Sequence, residues 1–477
     1  MDTFMALAPL VAVISGALAV LLLEAFLRRH DQELTAHVAV FALIAAGFFA
    51  VRSWGLDLSF FGGRLLLDPL ALLFIAVFII VGVFVVLMSL KYASHQDINL
   101  GQLCGLVLLA LAGLMIMASS RDWLVIFLGL EVLSVSSYAL AGLKRRDRAS
   151  SEAAAKYFLI GSFAGAFFVF GLALLFGTSG SLDCLAILSG GGASPGLSPA
   201  SAAGLVLILT ALFFKVAIAP FHMWAPDVYE GAPTPVTVFL TIAPKAAVLA
   251  VLVRALFPVL GSEPAAAAVF GPALAVAAVL TMFAGNLAAL RQKSVKRMLA
   301  YSTIAHSGYL LVAVIAGDGS GLVFYVVAYL FMNAGAFSVL VAMSGKGVEH
   351  TSLSDFAGLG RRNPWLAACL AVFLLSLAGF PPFAGFLAKF YVFGSAVREG
   401  HVILAVAAVL ASLVSVAYYL KVIVVMYMQD AAAETAIEPE NPALYLVVFL
   451  CLFETVQLGL WPGNLLTLIR QAMSGPF

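Results

Sequence analysis

Four ionisable side chains lie deep inside stretches of the chain that otherwise have the composition of a membrane interior. They are Glu131, Lys215, Lys245 and Lys389, and at least six uncharged residues flank each of them on both sides. A charged group at this depth costs about 2.5 to 3.5 kcal/mol on insertion scales. Because one such cost is already large, four of them in one chain indicate a functional role.

Lysine and glutamate in such surroundings are suited to proton transfer. Removal from water disfavours the charged form of both groups, so their neutral forms become accessible near neutral pH. At an effective dielectric constant of about 20, two charges about 8 Å apart interact by about 2 kcal/mol, so the charge of one group influences the protonation of the next. A row of Glu131, Lys215, Lys245 and Lys389 therefore predicts an electrostatically coupled path for protons.

Glu131 is predicted to lie near the midplane of the membrane. It follows Asp122 by nine residues and precedes Lys144 by thirteen. At about 1.5 Å per helical residue, it is about 13 Å from one end of its span and about 20 Å from the other. Its side chain is too short to reach the membrane surface from this depth. We therefore expect the carboxyl group to be protonated, paired or in contact with water.

Three further ionisable residues have a second interpretation beside a role in proton transfer. Lys156 follows Glu152 by four residues and could instead extend its ammonium group to the membrane surface. His222 and His306 are candidate bridges between the lysines, but each could also be a hydrogen-bonded core histidine. The roles of three other residues in predicted spans stay open: Lys421, Glu24 and Glu454.

The composition requires a membrane to surround these groups. Of the 477 residues, 63% are hydrophobic and 10% are charged, and the mean hydropathy is +1.10, whereas soluble domains carry about 25% charged residues. The fold class is therefore all-α and polytopic, with about 20 apolar residues per span. Fourteen windows satisfy this length: 5–27, 35–52, 67–91, 102–118, 122–143, 152–176, 202–224, 234–257, 265–290, 297–316, 320–343, 363–397, 402–428 and 441–461.

Two of the predicted spans contain helix-breaking residues close to a lysine. Pro220 follows Lys215 in the seventh span, and Pro381 and Pro382 precede Lys389 in the twelfth. Broken helices at membrane depth mark ion or substrate sites in transporters, particularly when they recur in corresponding positions of two halves. The two breaks are five spans apart. If the chain contains a repeated unit of five spans, this odd number places the second unit in the membrane in the opposite orientation to the first.

The positions of the breaks predict two inverted five-helix repeats, spans four to eight and nine to thirteen. The two lysines are not strictly equivalent within them, since Lys215 precedes its break and Lys389 follows its own. The gaps between spans leave no room for a soluble domain. We expect one membrane domain with four segments: 1–92, the repeats 101–257 and 265–428, and 441–477.

Charged loops predict the orientation of the chain. If the N-terminus lies outside, fourteen basic residues fall in or near the cytoplasmic loops and five in or near the opposite ones, which is the asymmetry of the positive-inside rule. The sequence "KRRDR" at 144–148 is the main cytoplasmic anchor. Both termini are therefore predicted to be periplasmic in a bacterial inner membrane.

The sequence carries no signature of a redox cofactor, a metal site or nucleic-acid binding. The four cysteines are scattered without a CxxC pair, and neither GxxxxGK[ST] nor a GxGxxG after a strand is present. The net charge of +1 argues against a strongly basic nucleic-acid binder. We expect no cofactor in this chain, so any electron transfer would take place in partner subunits.

Several longer motifs resemble one known family. Five stretches are similar to the antiporter-like membrane subunits of NADH:quinone oxidoreductase, respiratory complex I: "GLEVLSVSSYALAG" (129–142), "SSEAAAKYFLIGSFAGAFFVFG" (150–171), "FFKVAIAPFHMWAPDVYEGAPTPVTVFLTIAPK" (213–245), "GNLAALRQKSVKRMLAYSTIAHSGYLL" (285–311) and "SLAGFPPFAGFLAKFYVF" (376–393). The stretch "PDVYEGAPTPVT" resembles subunit N in particular.

The resemblance implies a fold, an activity and a set of residues. It implies fourteen helices with inverted repeats, and proton translocation driven by quinone reduction in other subunits. The family's intramembrane glutamate and lysines fall on Glu131, Lys156, Lys215, Lys245 and Lys389, and His306 fits a central bridging place. The implied partners are other complex I membrane subunits, including an M-type neighbour and small subunits.

We interpret the chain as a membrane-arm subunit that moves protons from the cytoplasm to the periplasm. The alternative within the same family is a subunit of a multi-subunit sodium/proton antiporter. That activity would require clustered oxygen ligands for the cation, and no second midplane carboxylate stands near Glu131 in the sequence. A solute transporter that works alone is the alternative from another class, and co-purification with partner subunits would exclude it.

Overall fold

The described part of the chain consists almost entirely of α-helices. A computed structural model describes residues 2–26, 32–184, 198–262, 264–430 and 441–474. The helices of the first half are α1 Asp2–Phe26, α2 Glu33–Arg52, α3 Pro69–His95, α4 Leu100–Ala118, α5 Trp123–Ala141, α6 Arg148–Ser179, α7 Pro199–Lys215, α8 Ala225–Gly231 and α9 Thr234–Ser262. Those of the second half are α10 Pro264–Leu290, α11 Val295–Ile315, α12 Gly319–Ala342, α13 Leu359–Arg362, α14 Pro364–Ala378, α15 Ala384–Arg398, α16 Val402–Met428, α17 Pro442–Leu460 and α18 Gly463–Ala472. A short antiparallel hairpin, Leu58–Phe60 with Leu65–Leu67, precedes α3.

The long helices correspond to the predicted spans. Within the described ranges, twelve helices are long and apolar enough to cross a membrane, and they follow the order of twelve of the fourteen windows. The other two windows do not form single long helices. In window 202–224, α7 ends at Lys215 and the short α8 begins only after the window, at Ala225, whereas window 363–397 is divided into α14 and α15. The all-α polytopic fold class is confirmed, as are the breaks at Pro220 and at Pro381 and Pro382.

Polar side chains set where many of the spans begin. The first N–H groups of a helix have no partner inside it, and a side-chain oxygen at the N-cap supplies one. Asp68 accepts a hydrogen bond from the first turn of α3, Asp122 from that of α5, and Asp318 from that of α12. These three aspartates therefore fix helix starts that hydropathy locates only approximately.

The backbone of each broken helix turns where the first half ends. α7 ends at Lys215, and Ala217 has a φ of 57° in the left-handed region. α14 ends before Gly379, which has a φ of 93° and donates its N–H to the carbonyls of Leu375 and Ser376. Proline lacks an N–H group and cannot continue the hydrogen-bond ladder. Carbonyl groups in the last turns of α7 and α14 are therefore available to side chains.

The two halves of the chain contain the same sequence of elements. α4, α5 and α6 are continuous, the pair α7 and α8 is broken, and α9 is continuous again. α10, α11 and α12, the pair α14 and α15, and α16 repeat this order. The broken pairs thus occupy corresponding places in the two halves, as the predicted repeats require.

Three helices form the interior. The most apolar 18-residue window of α9 and that of α12 are wholly buried, and that of α11 is 89% buried. In α6 and α17, by contrast, only 33% of the corresponding window is buried. Helices buried on all sides by protein can carry polar side chains without exposing them to lipid, so α9, α11 and α12 are suited to hold the ionisable groups.

Consecutive helices approach closely at glycines. A Cβ atom on Gly113 of α4 would lie 2.5 Å from the carbonyl oxygen of Gly129 in α5. A Cβ atom on Gly171 of α6 would lie 2.6 Å from the carbonyl oxygen of Gly204 in α7. Since no side chain fits there, the backbones of each pair are in direct contact, an arrangement that is common between membrane helices.

Candidate proton-transfer site

Lys215 occupies the end of α7 with its ammonium group buried. Only 3% of the residue is exposed, and Nζ donates a hydrogen bond to Ser134 Oγ over 3.0 Å. The rings of Tyr157 and Tyr138 lie 5.0 and 5.6 Å from Nζ, within the range of cation–π contacts. The pocket stabilises a cation without a directly bound carboxylate.

Glu131 is the nearest acidic neighbour of this lysine in electrostatic terms. It lies on α5 one turn before Ser134, and its carboxylate is close enough to interact with the charge of Lys215. A Cβ atom on Gly165 of α6 would lie 3.1 Å from Glu131 Oε1, so α6 packs closely against the carboxyl group at this glycine. The side chain is partly exposed at the surface of the chain.

Lys245 is linked to the backbone at the end of α7, next to Lys215, through backbone and hydroxyl groups. Lys245 Nζ donates to the carbonyl oxygen of Thr303 over 2.7 Å and lies 4.8 Å from the Tyr329 ring. Ser307 Oγ donates to the carbonyl oxygen of Val216 over 2.6 Å and contacts that of Thr303 at 3.2 Å. Ser307 therefore bridges the residue that follows Lys215 and the carbonyl group that binds Lys245.

His306 lies at the centre of a group of tyrosines. Its Nδ1 lies 2.7 Å from Tyr325 Oη and its Nε2 lies 3.4 Å from Tyr419 Oη. The ring is 5.0 Å from that of Tyr329, which also contacts Lys245. His306 interacts electrostatically with both Lys245 and Lys389. His306 thus shares the Tyr329 ring with Lys245 and lies within electrostatic range of Lys389, and the bridging role stays a prediction.

Lys389 is bound by the broken end of α14. Its Nζ donates to the carbonyl oxygens of Leu377 and Ala378 over 2.9 Å each and to Ser412 Oγ over 2.8 Å. These carbonyls belong to the last turn of α14, where the helix dipole favours a positive charge. The Tyr309 ring lies 5.2 Å from Nζ. The break therefore creates the binding pocket of this ammonium group.

Lys156 and His222 occupy different surroundings from the other predicted residues. Lys156 Nζ pairs with Asp227 at 2.6 Å and with Glu152 at 2.7 Å, and its side chain is 39% exposed. Arg297 pairs with the same Asp227 at 2.9 Å. His222 lies in the turn between α7 and α8, and its buried Nδ1 has no hydrogen-bond partner among the described residues. Neither residue contacts the buried lysines through a hydrogen bond within the described part of the chain.

A second buried charge cluster was not predicted from the sequence. Glu349, in the segment after α12, pairs with Lys296 at 2.9 Å and with Lys144 at 3.1 Å. It also accepts hydrogen bonds from Tyr92 Oη and from Thr234 Oγ1. Burial alone would raise the pKa of this carboxyl group, but the two ammonium groups outweigh it and hold the pKa well below its usual range.

Hydroxyl and amide side chains supply most of the links that sequence reasoning missed. Five polar side chains of α11 take part in the buried contacts around the lysines: Ser302, Thr303, His306, Ser307 and Tyr309. One signal pointed to them, because α11 is the least apolar of the twelve long helices in the described ranges. In a helix that is almost wholly buried, this polarity indicates an internal function.

The arrangement is capable of moving protons and charge. Ammonium, imidazole and phenol groups can each both release and accept a proton, and here they are held within hydrogen-bonding or electrostatic range of one another. In the described residues, no three His, Cys, Asp or Glu side chains are grouped so that they could hold a metal ion. The chemistry that the geometry supports is therefore acid–base exchange.

Comparisons with known proteins identify the family of the chain. Residues 120–415 match the family described as NADH:quinone oxidoreductase/Mrp antiporter, transmembrane. NADH-quinone oxidoreductase subunit N of Trichlorobacter lovleyi is 44% identical over 424 residues, which cover 87% of this chain and 86% of that protein.

Solved structures extend the similarity to the fold. A chain of respiratory complex I from Thermus thermophilus with bound aureothin superimposes with a TM-score of 0.83 at 35% identity, covering 96% of this chain and 98% of that one. A chain of the Mrp complex from Dietzia sp. has a TM-score of 0.83 at 20% identity over 99% of this chain and 96% of that one; this likeness concerns the fold alone. The chain belongs to the NADH:quinone oxidoreductase/Mrp antiporter family, and within it to the family of subunit N.

Proposed function

We propose that this chain is a proton-translocating membrane-arm subunit of NADH:quinone oxidoreductase. Protons pass from the cytoplasm to the periplasm, and quinone reduction in other subunits drives the process. The observation that carries this proposal is the burial of three lysines, Lys215, Lys245 and Lys389, of which the last two interact electrostatically with His306. Each is bound by neutral oxygens, so each can lose its proton without leaving an unpaired carboxylate behind.

The contacts suggest a role for each residue. Glu131 changes its charge in response to a neighbouring subunit and thereby alters whether Lys215 is protonated or neutral. Lys245 loads the proton, His306 conveys the change in charge, and Lys389 releases the proton. Lys156 contributes through its pairing with Asp227, which joins α6 to α8 next to the broken helix. Each proton that moves against about 100 mV requires about 2.3 kcal/mol, which the partner subunits supply.

Membrane partners complete the proposed assembly. Glu131 is partly exposed between side chains that face outward, among them Leu128 (54% exposed) and Val135 (64%). A carboxyl group facing lipid is costly, which supports a neighbouring membrane subunit on this face. We propose an M-type subunit and small membrane subunits as neighbours, a bacterial inner membrane as the location with both termini periplasmic, and no cofactor bound by this chain.

Sodium/proton antiport is the second candidate, favoured by the family match, whose description also names the Mrp antiporter. Sodium requires several oxygen ligands at one point, as other hard cations do. Among the described residues, the ammonium groups of Lys215 and Lys389 occupy the backbone and hydroxyl oxygens that a cation would need. The proton is therefore the better supported of the two ions.

The test replaces Lys215 by Met and Glu131 by Gln in the assembled complex. We expect both variants to assemble and both to lower quinone-coupled proton translocation. Lys421→Met is the control, because Lys421 also lies in a span but is exposed on α16. Unchanged turnover and proton uptake in both test variants, or an equal loss in the control, would contradict the proposal.

A further inference from the structure

Trp224 immediately precedes the short helix α8, and its ring forms the outer layer of the Lys215 pocket. The residue is only 2% exposed. Its ring is stacked on that of Tyr157, with 4.5 Å between the ring centroids and an interplanar angle of 7°. The Tyr157 ring in turn lies 5.0 Å from Lys215 Nζ. Trp224 is therefore linked to the buried ammonium group by way of the tyrosine.

The indole N–H of Trp224 also binds the end of α7. Its Nε1 donates to the carbonyl oxygen of Phe214 over 3.0 Å, and Phe214 is the residue before Lys215. The same oxygen accepts a hydrogen bond from the N–H of Ala217, which lies in the left-handed turn after α7. Trp224 thus contacts both the backbone that carries Lys215 and one of the rings that face its ammonium group.

Ion pairs fasten α8, and with it Trp224, to two other helices. Asp227 and Glu230 of α8 pair with Arg297 of α11 at 2.9 and 2.6 Å. Asp227 also pairs with Lys156 of α6 at 2.6 Å. Both carboxylates belong to the stretch "PDVYEGAPTPVT" that resembles subunit N. The position of α8 relative to α6 and α11 therefore determines where the indole ring lies.

We propose that Trp224 is a positioning residue, which holds the Tyr157 ring against the Lys215 ammonium group and keeps the end of α7 in place. The inference rests on the proposed function, because it gives Trp224 a part in proton transfer at Lys215. The attraction between a cation and an aromatic ring requires the cation to lie over the face of the ring at close range. Without Trp224, the Tyr157 ring turns into the vacated space and this attraction weakens.

The test measures the rate of quinone-coupled proton translocation in proteoliposomes that contain the intact complex. We expect Trp224→Leu to lower this rate several-fold while the amount of assembled complex stays at the wild-type level. Trp224→Phe keeps a ring that can stack and loses only the indole N–H, so we expect it to retain most of the rate. Trp224→Met replaces the leucine variant if that one does not assemble, with the same expectation.

A double variant distinguishes positioning from a general loss of packing. Tyr157→Leu removes the ring through which Trp224 acts, so Trp224→Leu combined with Tyr157→Leu should lose no more than the more severe single variant. Independent losses would multiply instead. Trp123→Leu is the matched control, because Trp123 is 3% exposed and packs against Phe168 instead of Tyr157. We expect the wild-type rate with it.

A several-fold loss with Trp224→Leu, retention with Trp224→Phe and a non-additive double variant together support the proposal. It is overturned by a wild-type rate with Trp224→Leu, by an equal loss with Trp224→Phe or Trp123→Leu, or by losses that multiply in the double variant. Failure of both Trp224→Leu and Trp224→Met to assemble also overturns it, since Trp224 would then serve folding alone. If Lys215→Met lowers translocation while Trp224→Leu does not, the proposed function stands and the positioning role is wrong.

Discussion

Replacing Glu349 by Gln tests the buried charge cluster on the Lys144 side of the protein. The carboxylate is 13% exposed, and its partners Lys296 and Lys144 are 1% and 10% exposed. Glutamine keeps the shape but leaves two largely enclosed ammonium groups without their counter-charge. Removing one partner of a buried ion pair costs about 3 to 5 kcal/mol. Because this cluster retains some contact with solvent, we expect about 3 kcal/mol.

Hydrogen exchange in the assembled complex measures this loss locally. Glu349 holds the beginnings of α9 and α11 through Thr234 and Lys296, so the amides of these two first turns report on their opening. A loss of about 3 kcal/mol corresponds to about 100-fold faster exchange, since 1.4 kcal/mol is a factor of ten. The remainder of α9 and α11 should exchange at the wild-type rate.

An exposed ion pair provides the control for this measurement. Asp430 pairs with Arg361 at 2.7 Å, but the two side chains are 85% and 82% exposed. Pairs of this kind contribute about 0 to 1 kcal/mol, so Asp430→Asn should change exchange little anywhere. If Glu349→Gln accelerates hydrogen exchange no more than Asp430→Asn does, the reasoning about the buried cluster is wrong.

The same variant has a defined pH dependence. The pKa of Glu349 is lower in the folded protein than in the unfolded chain, so its contribution is complete above the unfolded value of about 4.3 and is lost as the pH falls toward the folded value. The difference in the free energy of local opening between wild type and Glu349→Gln should therefore stay constant between about pH 6 and 8 and shrink on acidification below about pH 4. A difference that vanished near neutral pH would contradict the assignment.

Two further substitutions test packing and the broken helices. Arg254 is 1% exposed and binds both carboxylate oxygens of Asp68, so Arg254→Gln should cost about 3 to 5 kcal/mol of stability and lower the amount of folded subunit in membranes. Arg254→Lys should also be destabilised, because lysine lacks the forked geometry of the guanidinium group. A lysine variant as stable as wild type would contradict this prediction. A Cβ atom on Gly385 would lie 1.9 Å from the carbonyl oxygen of Ser376, so Gly385→Ala should force α15 away from α14 and reduce assembly and proton translocation. Gly177→Ala is the control and should have no effect, because no atom lies within 4 Å of its added Cβ. Equal effects of the two substitutions would argue against the close contact at Gly385.

The sequence predicted the spans and the buried lysines because both signals are local. About 20 apolar residues suffice to identify a span, and a lysine such as Lys245 stands out among them without knowledge of its neighbours. The breaks near Pro220 and Pro381 are indicated by proline, which cannot continue a helix, although α7 already ends at Lys215 and α14 at Ala378. These features depend on the residue itself and on the few that surround it.

The partners of the lysines depend on contacts between distant segments, which the sequence did not reveal. Ser134 lies 81 positions from Lys215, and Asp227 lies 71 positions from Lys156. Serine, threonine and tyrosine are also common in apolar helices, and which of them faces the interior depends on how each helix is rotated against its neighbours. Asn286 is an example, since nothing adjacent in the sequence marks it as a link between Tyr418 and Tyr309.

The paired glycines limit how this protein can move. Where Gly113 meets Gly129 and Gly171 meets Gly204, the backbones of the two helices are in direct contact, so one helix cannot easily slide or rotate past the other. Each pair must shift as a single body or remain still. Large swings of whole helices are thus disfavoured in these parts of the first half, and a working cycle there would rely on ångström-scale reorientation of a few polar groups.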